Sequence, residues 1–574
     1  MKYIGILSII LEVLIFLPGV TFAQPSQQPP SDVTPSQDSL NLDESFAVVP
    51  EGGVAVDPDP DPDPEAEEGY PSEPSDPPCI PLNTFALDVQ PAPGTLDTWV
   101  SAALEKRFAF AYDWFDHMGH LCVDAQGVEL AIDALTKLVE DRGYVTTRIE
   151  IDRQSLDTDT PRLLLIPGVI RQLRYTDATR GTWKSAFPVR NGDILNTNDL
   201  RQGAAQITRV PSEDASVEIE PVVNSGESDV LVAVQKGKPW RVTASVDNLG
   251  QRASGKLEGG LSVGIDNPLG LSDIFNISTS HDLEFGDRSL GTSSFSGSWS
   301  VPWGYWTATA YGGTSTSAQS IAGAYQPVVF RQNEQSIGAK LERVLNRSQN
   351  DVLGVELQLI RRRCDCADGV QSRTDNTFAE AGLTDQHVFG VTNFAGTLAY
   401  RQAIGGPGTL SNLHDGHAEY PLHVATLDAN LSVPFSAVGE KFRYVSTLHG
   451  QLTNDSPFYI DRISIAGFDT VRGFDGNTTL AASSGFYWRN ELQETIGKPG
   501  SVVYIGLDYG HLFGLGAESL PGTQIVGAAI GLRGSVLSNM GTYSYHLFVG
   551  TPVYKPAGFD TARLTLGFQL TGQY

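Results

Sequence analysis

Two short segments hold the residues best suited to a specific, shielded interaction. Asp469–Gly476 (DTVRGFDG) is polar and glycine-bearing, which predicts a turn or loop. Val502–His511 (VVYIGLDYGH) alternates like a strand. Val503, Ile505, Leu507 and Tyr509 share one face, and Tyr504, Gly506, Asp508 and Gly510 share the other. The first face can meet lipid. The second is small, carries one carboxylate and leaves room for another segment to approach. The pattern predicts that the loop, through Val471, Arg472, Gly473 and Phe474, folds inward and that Arg472 meets Asp508. Arginine suits this role because its planar fork grips a carboxylate through two hydrogen bonds. Taken alone, the two segments also read as an exposed loop and an unrelated aspartate, so the rest of the chain has to decide.

Two enzyme-like patterns compete with that reading. Gly260–Gly264 (GLSVG) matches the hydrolase elbow G-x-S-x-G, which needs a strand–turn–helix. Here the turn NPLGLSD follows, no helix is predicted, and Ser262 falls in mid-strand. His414–Glu419 (HDGHAE) places two histidines in a glycine-bearing loop without an evident third ligand, so an exposed loop is expected rather than a metal site. No cofactor and no catalytic residue is expected.

Four cysteines occur. Cys79 opens a strand-like run and Cys122 precedes a helix; a bridge between them would close a long loop and contribute roughly 4 kcal/mol on the chain-entropy view. Cys364 and Cys366 lie in RRRCDCADG, read as a surface loop, where they pair with each other or bind a metal.

The elements that must position these residues follow from composition. The chain has 574 residues, so more than one domain is expected. Only 18% are charged and glycine is abundant at 59. After the N-terminus no apolar run is long enough for a transmembrane helix. Low charge, many glycines and short alternating runs fit a membrane β-barrel. A net charge of −28 argues against nucleic acid as a partner.

In chain order, residues 1–23 read as a signal peptide: Lys2, an apolar core Ile4–Leu17, and a small-x-small site at Thr21–Ala23. Residues 24–78 hold 14 acidic residues, no Lys or Arg, and the run DPDPDPDP, which predicts a disordered linker. Its one partly apolar piece, Leu40–Val49, is expected to form a short helix. Residues 79–168 read as a compact α/β unit: a strand from Cys79, helices at Asp97–Phe108 and Asp124–Arg142, then strands Tyr144–Asp152 and Arg162–Ile166. Residues 169–238 repeat the plan: a strand Val169–Tyr175, a helix Asp199–Arg209 capped by Asn196 or Asn198, and strands Ser216–Val223 and Asp229–Gln235.

The texture changes at Trp240. Lys256–Asp266 alternates, with Leu261, Val263 and Ile265 on one side and Glu258, Ser262 and Asp266 on the other. The tail puts Leu564, Leu566, Phe568, Leu570 and Tyr574 on one face, a lipid-facing strand ending in an aromatic at the membrane interface. At roughly 20 residues per strand and connection, residues 239–574 predict about 16 antiparallel strands, an even number if both ends lie in the periplasm.

At this point the chain resembles the outer-membrane transporters of two-partner secretion, the haemolysin secretion/activation protein family. DRGYVTTRIEIDRQSL (Asp141–Leu156) resembles the end of the family's first POTRA module, and FPVRNGDILNTNDLRQGAAQITRVPS (Phe187–Ser212) the helix region of its second. Ser245–Asp273 resembles the first barrel strands, Phe458–Gly476 with Gly485–Leu492 the inward-folded loop and the strand after it, and GLDYG (Gly506–Gly510) the wall facing that loop. The resemblance implies a barrel of 16 strands preceded by two periplasmic POTRA domains, in the outer membrane of a Gram-negative bacterium. It implies export of one large secreted exoprotein, β-helical and with an N-terminal secretion domain, threaded unfolded and without ATP. Other expected partners are the lipid bilayer and the outer-membrane assembly machinery that inserts the barrel. An assembly factor that inserts other barrels is the alternative, since it shares POTRA modules and the loop motif. Family members usually carry an N-terminal plug helix, and the Pro- and Asp-rich segment departs from that pattern; Asn198 stands where the family's helix motif often has Arg.

Overall fold

The computed structural model describes residues 46–48, 80–90, 98–119, 122–123, 125–153, 155, 160–175, 183–222, 226–284, 291–367, 371–404, 422–437, 439–497 and 500–574. The predicted signal peptide, most of the acidic linker, Cys79 and the HDGHAE loop lie outside these residues. So does the side chain of Cys122, whose backbone, with Val123, pairs with Ile80–Pro81.

From Trp240 onward, sixteen antiparallel strands close into a barrel, from Trp240–Asp247 to Thr565–Gln573. Closure is made by Thr243–Asp247 pairing with Gln569–Gln573. The expectation of about 16 strands is met, and the even count puts both ends of the barrel on one side. The wall obeys the period-two rule. Leu261, Val263 and Ile265 are exposed on the outer face, while Asp266 is buried and bonded to Arg241 at 2.6 Å. No helix among the described residues is long and apolar enough to cross a membrane; the crossing elements are strands. Ser262 sits within the strand Glu258–Asp266, paired on both sides, so the elbow geometry of a hydrolase is absent there.

Before the barrel stand two small α/β units. The first has a sheet in the order Ala86–Val89, Arg162–Ile166, Arg148–Ile151, covered by helices Thr98–Arg107, Ala109–Met118 and Ala125–Asp141. Its core gathers Phe108, Leu135, Val139, Leu163 and Leu165. The helix Ala109–Met118 was not foreseen: AFAYDWFDHM is aromatic-rich and lacks the straight-chain helix formers. It forms because Ala111 and Phe115, one turn apart, are buried in this core.

In the second unit the sheet order is Phe46–Val48, Glu213–Pro221, Glu227–Lys236, Val169–Tyr175, packed on helix Thr197–Thr208. Asn196 caps that helix by accepting from the Asn198 amide at 2.8 Å. The predicted helix in Leu40–Val49 is corrected: Phe46–Val48 is a strand, parallel to Val217–Ile219. An open sheet edge offers unpaired amides and carbonyls, and an extended segment gains more from them than from a solitary helical turn. The linker is thus not without structure at these three residues.

Arg171 joins two strands of this sheet through bidentate hydrogen bonds to Asp229. That guanidinium holds the Asp229 carboxyl below its ordinary range. A depressed carboxylate stabilises above the unfolded value of about 3.9, and the contribution is lost as pH falls through the lower folded value. Arg171→Ala should therefore melt the periplasmic part at a lower temperature at pH 7, with a smaller further drop by pH 2.5. Calorimetry across that range tests it, and an unchanged acid limb would count against the pairing.

Candidate functional site

The segment between strands Glu440–Leu452 and Ser484–Ile496 does not stay outside. It turns into the barrel as a hairpin in which Ile463–Ile465 pairs with Leu480–Ala482. Around its tip Val471, Phe474, Ile465, Leu480, Leu512 and Phe559 are buried in one apolar cluster. Phe474 meets Phe559 edge-on, with ring centroids 6.0 Å apart. The tip is therefore packed like a protein interior, not draped in a water-filled channel.

Arg472 stands in this packing with 1% of its surface exposed, and Asp508 is equally buried. Its Nε donates to Asp508 Oδ2 at 2.7 Å and its Nη2 to Asp508 Oδ1 at 2.7 Å. The Arg472 backbone amide adds a third bond to Oδ2 at 3.0 Å. The backbone amide of Asn490 reaches Oδ1 at 3.3 Å, so the carboxylate accepts four hydrogen bonds.

The remaining guanidinium nitrogen finds a partner that the sequence reading did not name. Arg472 Nη1 donates to Glu491 Oε1. The other oxygen of Glu491 accepts from Arg533 Nη2 and Gln493 Nε2, each at 2.8 Å. Tyr504 lies beneath both arginines, with Arg472 Cζ at 5.2 Å and Arg533 Cζ at 5.3 Å from its ring centroid. Two arginines and two carboxylates thus form a balanced, hydrogen-bonded set. The signal for Glu491 was present: Asn490 and Glu491 stand in a strand one position apart, and Glu491 shares the inward side with Gln493.

Glycines on the wall make the space. A β-carbon at Gly506 would stand 2.6 Å from Arg472 Nη2, and one at Gly510 2.9 Å from Val471 Cγ2. At Gly527 it would collide with the Arg472 carbonyl oxygen. Gly473 needs glycine for a second reason, since its φ is +98°. On the other face of the same strand, Ile505 and Leu507 are 62% and 56% exposed, the alternation a lipid-facing wall requires.

A second anchor, also missed from sequence, runs with reversed polarity. Arg362 belongs to the wall and Asp461 to the loop. Arg362 Nη2 donates to both Asp461 oxygens, at 2.7 and 2.5 Å, and both residues are buried. Gln451 bridges the two loop arms, donating to Asp461 O at 3.0 Å and Ser483 O at 2.8 Å. Beside it Cys364 and Cys366 are joined in a disulfide. The surface-loop reading of these cysteines is corrected: both lie in strand Asp351–Ala367, fully buried against Ile321, Tyr459 and Ala481.

The second periplasmic unit is docked on the barrel. Gln202 and Gln206 of helix Thr197–Thr208 each donate to Gly304 O at 3.0 Å, in the turn between strands Ser293–Trp303 and Trp306–Ile321. Arg347 Nε donates to Gln202 Oε1 at 2.7 Å, and Asn267 Nδ2 to Glu213 Oε1 at 2.8 Å. Asp199 ties three parts together, accepting from Tyr305 of the barrel turn and from Arg107 of the first unit. At the same end Tyr574 is half exposed, its ring centroid 5.4 Å from that of Trp240, with Lys238 Nζ 3.9 Å above it.

Residues 226–534 match the haemolysin secretion/activation protein family ShlB/FhaC/HecB, and residues 169–221 match the POTRA domain. An outer membrane transporter CdiB-2 of Burkholderia pseudomallei (strain 1026b) is 48% identical, the alignment covering 88% of each chain. The hemolysin transporter protein ShlB of Serratia marcescens is 24% identical over 68% of this chain and 71% of its own. Among solved structures, CdiB from Acinetobacter baumannii shares the fold with a TM-score of 0.74 at 21% identity, covering all of this chain and 97% of its own. CdiB from Escherichia coli gives 0.73 at 22% identity over 88% and 92%.

Proposed function

The chain belongs to the haemolysin secretion/activation protein family, and from that membership we propose how its parts divide the work of an outer-membrane transporter in two-partner secretion. The protein resides in the outer membrane with its POTRA region in the periplasm, and it exports a secreted partner. The reading as a barrel-inserting assembly factor gives way to this one, because the family match and the 48% identical transporter point to secretion.

We assign residues 79–168 and 169–238 as two POTRA domains, 239–574 as the transporter barrel, 1–23 as a signal peptide and 24–78 as a linker. The partner is one large exoprotein, β-helical and led by an N-terminal secretion domain; the assembly machinery of the outer membrane inserts the barrel. The Cys79–Cys122 bridge would brace the first POTRA domain. Tyr574, at the interface end of the last strand, is the terminal signal for insertion.

Capture uses main-chain chemistry. Arg148–Ile151 is one of the two outer strands of its sheet, and its Arg148 and Glu150 side chains are exposed. An unfolded segment can add a strand there with little demand on its sequence. Among the described residues Phe46–Val48 covers one edge of the second sheet, while Val169–Tyr175 remains an outer strand of it. No energy source beyond binding and folding is needed, since refolding outside the cell prevents return. The loop tip, held by Arg472, sets the translocation path and must be in place for threading.

The observation that carries this reading is the buried Arg472–Asp508 pair on an inward-folded loop above docked POTRA modules. A photo-crosslinker at position 150 of the full-length transporter, activated during export, should trap one large exported protein. Recovery of many nascent barrel proteins instead would return the assembly-factor reading.

A further inference from the structure

We propose that the outer wall of the barrel holds a site for one anionic phospholipid of the periplasmic leaflet, its acyl chain in a crevice beside the docked second module and its phosphate on Arg343. The crevice is open to the outside and offers about 690 Å³ of space. Val301, Trp303, Trp306, Ala308 and Leu341 line it on the barrel, and Ser185 of Trp183–Ala186 closes it from the second module.

Register explains its shape. Val301, Ala308 and Leu341 are direct cross-strand neighbours, and Trp299, Ala310 and Ala339 form the next row. Small alanines between larger side chains leave a furrow running down the wall toward the hydrocarbon core. The Ser185 hydroxyl is already engaged, donating to Leu271 O at 3.3 Å. A lining of this kind suits an alkyl chain and has little to offer a polar ligand.

The cation stands at the mouth. Arg343 lies opposite Trp306 in register, and its Cζ is 4.9 Å from the Trp306 ring centroid. It faces outward between the exposed Leu341 and Leu345. The adjacent Glu342 turns to the interior, where it meets Lys340 at 2.8 Å. Height on the wall fits a headgroup. The Trp240–Tyr574 pair with Lys238 marks the interface at this end of the barrel, and Trp303 and Trp306 flank the turn at that same end. A phosphate at Arg343 therefore sits at headgroup level, with the furrow below it at chain level. A lipid seated there touches both the barrel and the helical turn of the docked module.

The test uses the full-length transporter, stripped of lipid in mild detergent and titrated with phosphatidylglycerol dibrominated in its acyl chains. Tryptophan quenching should saturate near one lipid per chain. Trp303→Phe combined with Trp306→Phe should lose most of the quenched fraction, and Arg343→Ala should bind about five-fold more weakly. Dibrominated diacylglycerol, which lacks the phosphate, should bind the wild-type chain as weakly as phosphatidylglycerol binds Arg343→Ala. Inorganic phosphate should neither quench nor displace the lipid. Unsaturable quenching, indifference to both variants, or equal binding of diacylglycerol would overturn the proposal. Displacement by inorganic phosphate would make this a free-anion site and overturn it too. Heat-modifiable migration checks that each variant is folded, and the diacylglycerol comparison needs no variant at all.

Discussion

Arg472→Ala is expected to abolish appearance of the exported partner in the medium while the barrel still accumulates, heat-modifiable, in outer membranes. The reason is what the substitution leaves behind. Asp508 and Glu491 would remain buried at the loop tip, with Asp508 stripped of the two guanidinium donors among its four. The backbone amide could remain one of those donors only if the tip kept its place, and the neutralising charge would be gone. Breaking a buried pair by removing one partner costs about 3–5 kcal/mol, comparable to the net stability of a small domain. The barrel escapes because its strands are held by their own ladders, independent of the loop. Arg472→Lys keeps the charge yet loses the planar fork that reaches Asp508 and Glu491 together, so intermediate export is expected. Export at wild-type level from Arg472→Ala, with wild-type amounts of folded barrel, would remove the basis for the loop's role.

The parts of the fold that read well from the sequence are those where one face meets lipid and the other does not. Ile505 and Leu507 against Gly506 and Asp508 leave little choice of register, because a slip by one residue would put the carboxylate into hydrocarbon. Arg472 and Asp508 were legible for the same reason: a carboxylate on a small inward face has few ways to be neutralised. What the sequence hid is instructive. Strands Val328–Arg347, Asp351–Ala367 and Gln371–Phe389 have 20, 17 and 19 residues, far more than the roughly 9–11 that cross a bilayer. Their outer parts stand clear of lipid, so nothing there enforces apolar alternation, and the arginine run Arg361–Arg363 looks like a loop. Paired strands put its members to use: Arg361 and Arg363 converge on Asp375, and Arg362, on the other face, points at Asp461. A cross-strand partner is a fact of register, and register between distant segments is not written in either one alone. The strand at Phe46–Val48 was hidden for a similar reason, since only a neighbouring sheet edge makes it a strand.

Arg362→Met and Asp461→Leu should each impair export strongly, and together they should impair it less than either alone. Each single change leaves one buried charge without its partner, at a cost of about 3–5 kcal/mol. Asp461 without Arg362 loses its ion-pair partner, and Arg362 without Asp461 keeps the face of Phe378, 4.9 Å from its Cζ, and the more distant field of Glu334. The double variant buries two apolar side chains of similar volume where the pair stood, and such replacements are often neutral. For the double variant to fall below either single, the coupling must offset more than one full single cost, that is, more than about 3–5 kcal/mol. The readouts are partner in the medium and cleavage of the loop in intact cells by an added protease. The single variants should expose sites in 453–483, because Asp461 and the Gln451 bridge hold the outer arms of the loop while Arg472 holds its tip. Strict additivity, with the double variant losing the sum of the two singles, would mean that this pair does not fasten the loop and that Gln451 and the Tyr459 hydroxyl bond to Arg331 O suffice. Sub-additive loss would instead establish two anchors of opposite polarity, one at each end of the inward segment, so that releasing the tip for passage of the partner need not release the loop.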